Sequence, residues 1–200
     1  MTGIAISHNT YIHRIVRPAV RTLVNTRVTP NQVTTARLAG GLAAAGCFAV
    51  GATGWGSAAF VVALLLDRAD GELARLGGKT SDWGHSFDLI SDGVSNTASF
   101  VGIGFGLRAG ILGSWAVPFG IAAGLAVASI LWMTMQIEQR AGQRGAELGG
   151  AAGFDPDDAI LVVPLAMVLG GGVPLLLAAA IGAPAFAVFY AWYFRAKLFG

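Results

Sequence analysis

Charge is scarce in this chain: Asp, Glu, Lys and Arg make up 12% of its 200 residues, about half the share of an ordinary soluble domain. So few charges cannot cover a water-exposed fold or track a nucleic-acid backbone, and no nucleic-acid partner is expected. Cysteine is nearly absent as well. Cys47 stands alone in an Ala/Gly/Phe-rich stretch, which excludes an intrachain disulfide or a cysteine-based metal site and leaves it a packing role. The opening residues, MTGIAISHNTYIHRIVRPAV, lack the short apolar run and small-residue cleavage site of a secretory signal, so the chain is expected to insert through its own spans. There is no internal repeat.

What the chain has in abundance is apolar surface. The residues AVILMFWYC make up 54% of it, and the mean hydropathy is +0.65, which reads as an integral membrane protein. A spanning helix needs about 20 mainly apolar residues, so the length allows roughly six spans with short loops and no separate soluble domain. Tyr11 to Leu23 sets Ile12, Ile15, Val16, Ala19 and Leu23 on one helical stripe and Arg14, Arg17 and Arg21 on the other side, as in an interfacial amphipathic helix. Thr29 is a cap for the next helix and Pro30 suits its first position.

Spans are expected over 33–53, 57–76, 83–107, 111–136, 157–169 and 175–192, broken at Gly54-Trp55-Gly56 and at Gly77 to Ser81. The expected fold is therefore all-α and membrane-integral. One domain covers 1–200, with a juxtamembrane helix and turn over 1–32 and a six-helix bundle over 33–198. An even number of spans puts both termini on one side. Every Lys and Arg except Arg108 falls on that side or toward that end of its span, which marks the cytoplasmic face of the cell (inner) membrane.

Against this background, DRADGELARLGGKTSDWGHSFDLISD places Asp67, Asp70, Asp88 and Asp92 in apolar segments. Each aspartate at mid-membrane costs about 2.5 to 3.5 kcal/mol on insertion scales, so four need a compensating cause. On one helix Asp67, Asp70, Gly71 and Ala74 share a face; on the next, Gly84, Asp88 and Asp92 recur every four residues. The short loop makes these two helices antiparallel neighbours whose faces can meet. Four converging carboxylates repel unless positive charge is supplied, and all-oxygen ligation selects hard cations, Mg2+ or Mn2+, which commonly bridge carboxylates to substrate phosphates. Gly71, Ala74 and Gly84 leave room for a bulky ligand, and Arg75 is placed to contact a phosphate. The pattern points to metal-assisted phosphoryl transfer.

The same residues match DxxDGxxAR(x8)GxxxDxxxD at every fixed position: Asp67, Asp70, Gly71, Ala74, Arg75, Gly84, Asp88 and Asp92. In this the chain resembles the CDP-alcohol phosphotransferase family. The six spans, the juxtamembrane helix and the TPNQVT stretch from Thr29 to Thr34 are similar to that family too, so the likeness covers nearly the whole chain. The resemblance implies transfer of a substituted phosphate from a CDP-linked donor to an acceptor hydroxyl, with release of CMP, in phospholipid biosynthesis. It implies that Asp67, Asp70 and Asp88 hold a two-metal centre, and that Asp92 contacts metal and is the catalytic base. Pro30, Asn31, Gly71, Ala74, Arg75 and Ser81 line the CDP-donor pocket on the same ground. CDP-diacylglycerol is the expected donor; the alternative has a soluble CDP-alcohol such as CDP-inositol and a lipid or polyol-phosphate acceptor.

The continuation DLISDG differs from the DPLADK of phosphatidylglycerophosphate-type members. Gly93 stands where the inositol-phosphate-accepting branch commonly has arginine.

His85, Arg140 and Arg144 are candidates for the acceptor site; the two arginines are alternatively positive-inside anchors. Asp155, Asp157 and Asp158 either cap the fifth span or stand near the acceptor, while Glu72 and Asp82 fall off the two faces and read as solvated or interfacial. Trp55, Trp115, Trp132 and Trp192 suit an interfacial belt. Gly120 and Gly124 read as helix-packing positions, with a homodimer interface as one use. Two other classes compete. An ion-coupled transporter predicts carboxylates spread along a path and an inverted repeat, neither of which is present. A metal-dependent membrane hydrolase would release CMP without an added alcohol.

Overall fold

The computed structural model describes residues 11–142 and 160–199, and among these all regular structure is helical. The order is α1 (Tyr11–Val24), α2 (Pro30–Ala49), α3 (Thr53–Leu76), α4 (Asp82–Leu107), a 3-10 turn (Gly113–Trp115), α5 (Ala116–Ala141), α6 (Val162–Val168), α7 (Gly172–Tyr193) and α8 (Arg195–Phe199). Local chemistry sets the starts of the two helices nearest the aspartates. Thr29 accepts from the Gln32 amide while the Gln32 side chain accepts from the Thr29 amide at 3.0 Å, a reciprocal cap that closes the first turn of α2 with Pro30 at its head. Ser81 does the same work for α4, its Oγ accepting from the Gly84 amide at 3.0 Å. Between α3 and α4 the chain reverses at Gly78, whose φ of +60° a side chain would disfavour.

The helices do not pair as sequence order suggests. α2 packs along both α3 and α4, whereas α3 and α4 share little direct contact despite their short connection. The aspartate faces of the two helices do meet, as the short connection predicts, while a third helix, α2, lies along both. The close approach depends on glycine. A Cβ on Gly102 of α4 would run into the Ala45 carbonyl of α2, and one on Gly120 of α5 into the Phe100 carbonyl of α4. Such small residues let helix backbones approach closely where lipid offers no hydrophobic drive to associate. Gly124 likewise faces Thr97 of α4. Both glycines of the GxxxG pair are thus spent on an intrachain contact, which removes them as support for a dimer interface.

Phe48, Phe60, Phe100, Ile103 and Leu176 fill the centre between α2, α3, α4 and α7. α1 docks on α3 through Val16 and Val20, which pack with Leu73 and Val33. Val20, and not Ala19, carries the inward stripe: Ala19 is exposed and Val20 only 1% exposed.

Two helices among the described residues are both long and apolar enough to cross a membrane, Gly113–Ala141 and Gly172–Tyr193. α2, α3 and α4, with 20, 24 and 26 residues, have the length (about 30 Å or more at 1.5 Å per residue) but carry polar residues along one face. The fifth expected span, 157–169, is the seven-residue α6 in its described part, and the rest lies outside the described residues. Of the expected belt, Trp55, Trp115, Trp132 and Trp192 are all exposed.

Candidate metal centre

Asp67 and Asp70 lie one turn apart near the end of α3, and Asp88 lies in the second turn of α4. One carboxylate oxygen from each of the three falls within 4.8 Å of the others. Oxygens bound cis on one Mg2+ at about 2.1 Å stand about 3 Å apart, so a bound ion would draw the three carboxylates closer together. The hard, all-oxygen donors fit a divalent cation of that kind. Asp92 is not in the triad. One turn beyond Asp88, it is exposed and accepts from Asn96 Nδ2 at 3.0 Å.

Two residues of α2 complete the site, and neither was singled out from the sequence. Thr34, 2% exposed, donates its hydroxyl to Asp70 Oδ2 at 2.7 Å. Arg37, also 2% exposed, pairs with Asp67 through Nη1, places that nitrogen 2.9 Å from Asp88 Oδ1, and donates from Nη2 to the Asp88 carbonyl at 2.6 Å. Arg68 adds a second cation 3.4 Å from Asp67 Oδ2. The signal was present: Thr34, Arg37 and Gly41 fall three and seven residues apart on one face of α2, and an arginine within an apolar span is itself a functional flag.

The residues expected around a donor nucleotide gather on the side of the triad nearer the helix ends. A Cβ on Gly84 would lie 3.0 Å from Ser81 Oγ and 3.3 Å from Asn31 Oδ1, so the first turns of α2 and α4 meet there with Pro30 at the head of α2. Arg75 folds back over Gly71, where a Cβ would stand 3.5 Å from Nη1, and Ala74 is half-buried beside it. Glu72 departs from expectation. It is buried, not solvated, and receives Arg17 of α1 at 2.7 Å and Arg75 at 3.0 Å. The amphipathic helix is thereby clamped to the same acid that orients Arg75.

The acceptor candidates separate. His85 Nε2 lies 2.8 Å from Glu138 Oε2, joining α4 to α5. Arg140 is turned to the C-terminus, where Nη1 donates to the carbonyls of Lys197 and Leu198. Arg144, Asp155, Asp157 and Asp158 lie outside the described residues.

Residues 27–192 match the CDP-alcohol phosphatidyltransferase family. The chain belongs to that family. As a CDP-alcohol phosphatidyltransferase family member it is a membrane phosphotransferase enzyme of phospholipid synthesis, and the family uses divalent metal ions. Nine chains of solved structures match it. One is Mycobacterium tuberculosis phosphatidylinositol phosphate synthase, solved in complex with manganese and citrate, with a TM-score of 0.66 and 22% identity over 88% of each chain. That likeness concerns the fold. No curated protein sequence matches the chain.

Proposed function

We propose that the protein transfers a phosphatidyl group from a CDP-linked lipid, CDP-diacylglycerol, to the hydroxyl of a small polar acceptor, releasing CMP. The observation that carries this reading is the convergence of Asp67, Asp70 and Asp88, from two helices, within 4.8 Å. Asp67, Asp70 and Asp88 hold divalent metal, Mg2+ or Mn2+, with Asp92 completing a two-ion site. When bound, the metal supplies positive charge to the diphosphate and to the CMP leaving group. Asp92, exposed and held by Asn96, takes the proton of the acceptor hydroxyl. Asn31, Ser81, Gly84 and Arg75 bind the cytidine diphosphate, with Arg75 aimed by Glu72.

The family description names phosphatidyl transfer, which favours the lipid as donor. A related fold in an enzyme named phosphatidylinositol phosphate synthase favours a phosphorylated polyol as acceptor. The second reading, a soluble CDP-alcohol donor with a lipid or polyol-phosphate acceptor, is favoured by Gly93, which stands where the inositol-phosphate-accepting branch commonly carries arginine. His85, held by Glu138, borders the acceptor in either case, and Arg140, turned to the Lys197 and Leu198 carbonyls, serves as an anchor. In this reading one domain of six spans lies in the cytoplasmic membrane with the aspartates facing the cytoplasm, assembled as a homodimer. Exposed apolar side chains such as Ile181, Val188 and Trp192 support the lipid surroundings.

The test is incubation of the purified protein with a panel of CDP-linked donors and alcohols in Mn2+ or Mg2+, following CMP. Release that requires CDP-diacylglycerol and an added alcohol supports the first reading. Release without an alcohol makes the protein a hydrolase.

A further inference from the structure

We propose that Arg37 is a resident counter-cation of the aspartate cluster, competing with the divalent ion for the carboxylates of Asp67 and Asp88. This rests on the metal-binding reading of that cluster.

Arg37 stands on α2, which runs along both α3 and α4, and its side chain is withdrawn from solvent. From there one guanidinium nitrogen, Nη1, reaches the carboxylates of both Asp67 and Asp88. Three carboxylates gathered in an apolar bundle repel one another, and a buried cation between two of them lets the helices assemble before any ion arrives. The same contact opposes the ion. A guanidinium on the Asp67 and Asp88 oxygens sits beside the place where a divalent cation must draw those oxygens together, and like charges at that range disfavour joint occupancy.

Two details make the arginine displaceable. Its Nε is buried without a hydrogen-bond partner, so its present seat does not satisfy it fully. Its Nη2 bond goes to the Asp88 main-chain carbonyl, which uses no carboxylate oxygen and is compatible with Nη1 turning away. Arg37 therefore lowers divalent affinity in the resting protein, and an anionic diphosphate restores the balance by adding negative charge.

The full-length protein in detergent is titrated with Mn2+, and free ion is read by electron paramagnetic resonance for wild type, Arg37→Gln, Arg37→Lys and Asp70→Asn. Arg37→Gln should bind Mn2+ about tenfold more tightly because a neighbouring unit charge is removed, with Arg37→Lys within about twofold of wild type because it keeps the charge. Unchanged or weaker Mn2+ binding by Arg37→Gln, with binding abolished by Asp70→Asn, overturns the Arg37 role and leaves the metal reading standing. Binding insensitive to Asp70→Asn overturns both. Should Arg37→Gln not fold, the arginine side-chain 15N resonance missing from Arg37→Lys must move in wild type when Mg2+ is added. No movement overturns the proposal.

Discussion

The Thr34 hydroxyl donates to Asp70 Oδ2 at 2.7 Å, so a residue of α2 orients a carboxylate of α3. Hydrogen bonds of this kind fix which oxygen of an acid is left free for a cation, and their loss typically costs 10- to 100-fold in metal affinity. Thr34→Val should therefore weaken Mn2+ binding by about tenfold with little change in folding. Direct Mn2+ titration beside a thermal melt tests it; equal affinity would show the bond to be incidental.

Asp92→Asn should cut turnover by about 100- to 10,000-fold, the usual worth of a positioned base, while donor binding persists. Equilibrium binding of a CDP-linked donor, set against CMP release, separates the two effects. Asp67→Ala or Asp70→Ala should instead abolish the metal dependence of donor binding. Full turnover by Asp92→Asn would remove it from the reaction.

Glu72 receives Arg17 and Arg75 from a buried position, and removing its charge frees both. Glu72→Gln should destabilise by about 1 to 3 kcal/mol, loosen α1 from α3 and raise KM for the donor more than it lowers kcat. Limited proteolysis at α1 and steady-state kinetics provide the readouts. An unchanged cleavage pattern would refute the clamp.

Gly102 meets the Ala45 carbonyl so closely that a side chain there forces α2 and α4 apart. Gly102→Val should cost about 1 to 3 kcal/mol or more and lower Tm clearly. Gly46 has nothing within 4 Å of a Cβ, and Gly46→Ala should be neutral or stabilising by up to about 1 kcal/mol. The two melts are compared in the same detergent, and equal shifts would argue against the close approach.

Much of this molecule follows from short-range rules. The capping box at Thr29 and Gln32, the amphipathic α1, the helices on either side of Gly78 and the faces carrying Asp67, Asp70 and Asp88 are all written in spacing a few residues long. The aspartate motif also carries the reaction class, because few chemistries keep that many carboxylates in an apolar chain. Helical periodicity tells which residues share a face, but not what that face meets.

That α2 lies along both aspartate helices, bringing Thr34 and Arg37 to the carboxylates, is a matter of long-range packing. So are the burial of Glu72 between two arginines and the approach of Gly120 to the backbone of α4. The reason is common to all three. Partner choice depends on backbone approach between segments distant in sequence, and that depends on where glycines allow contact and where buried charges must find an opposite.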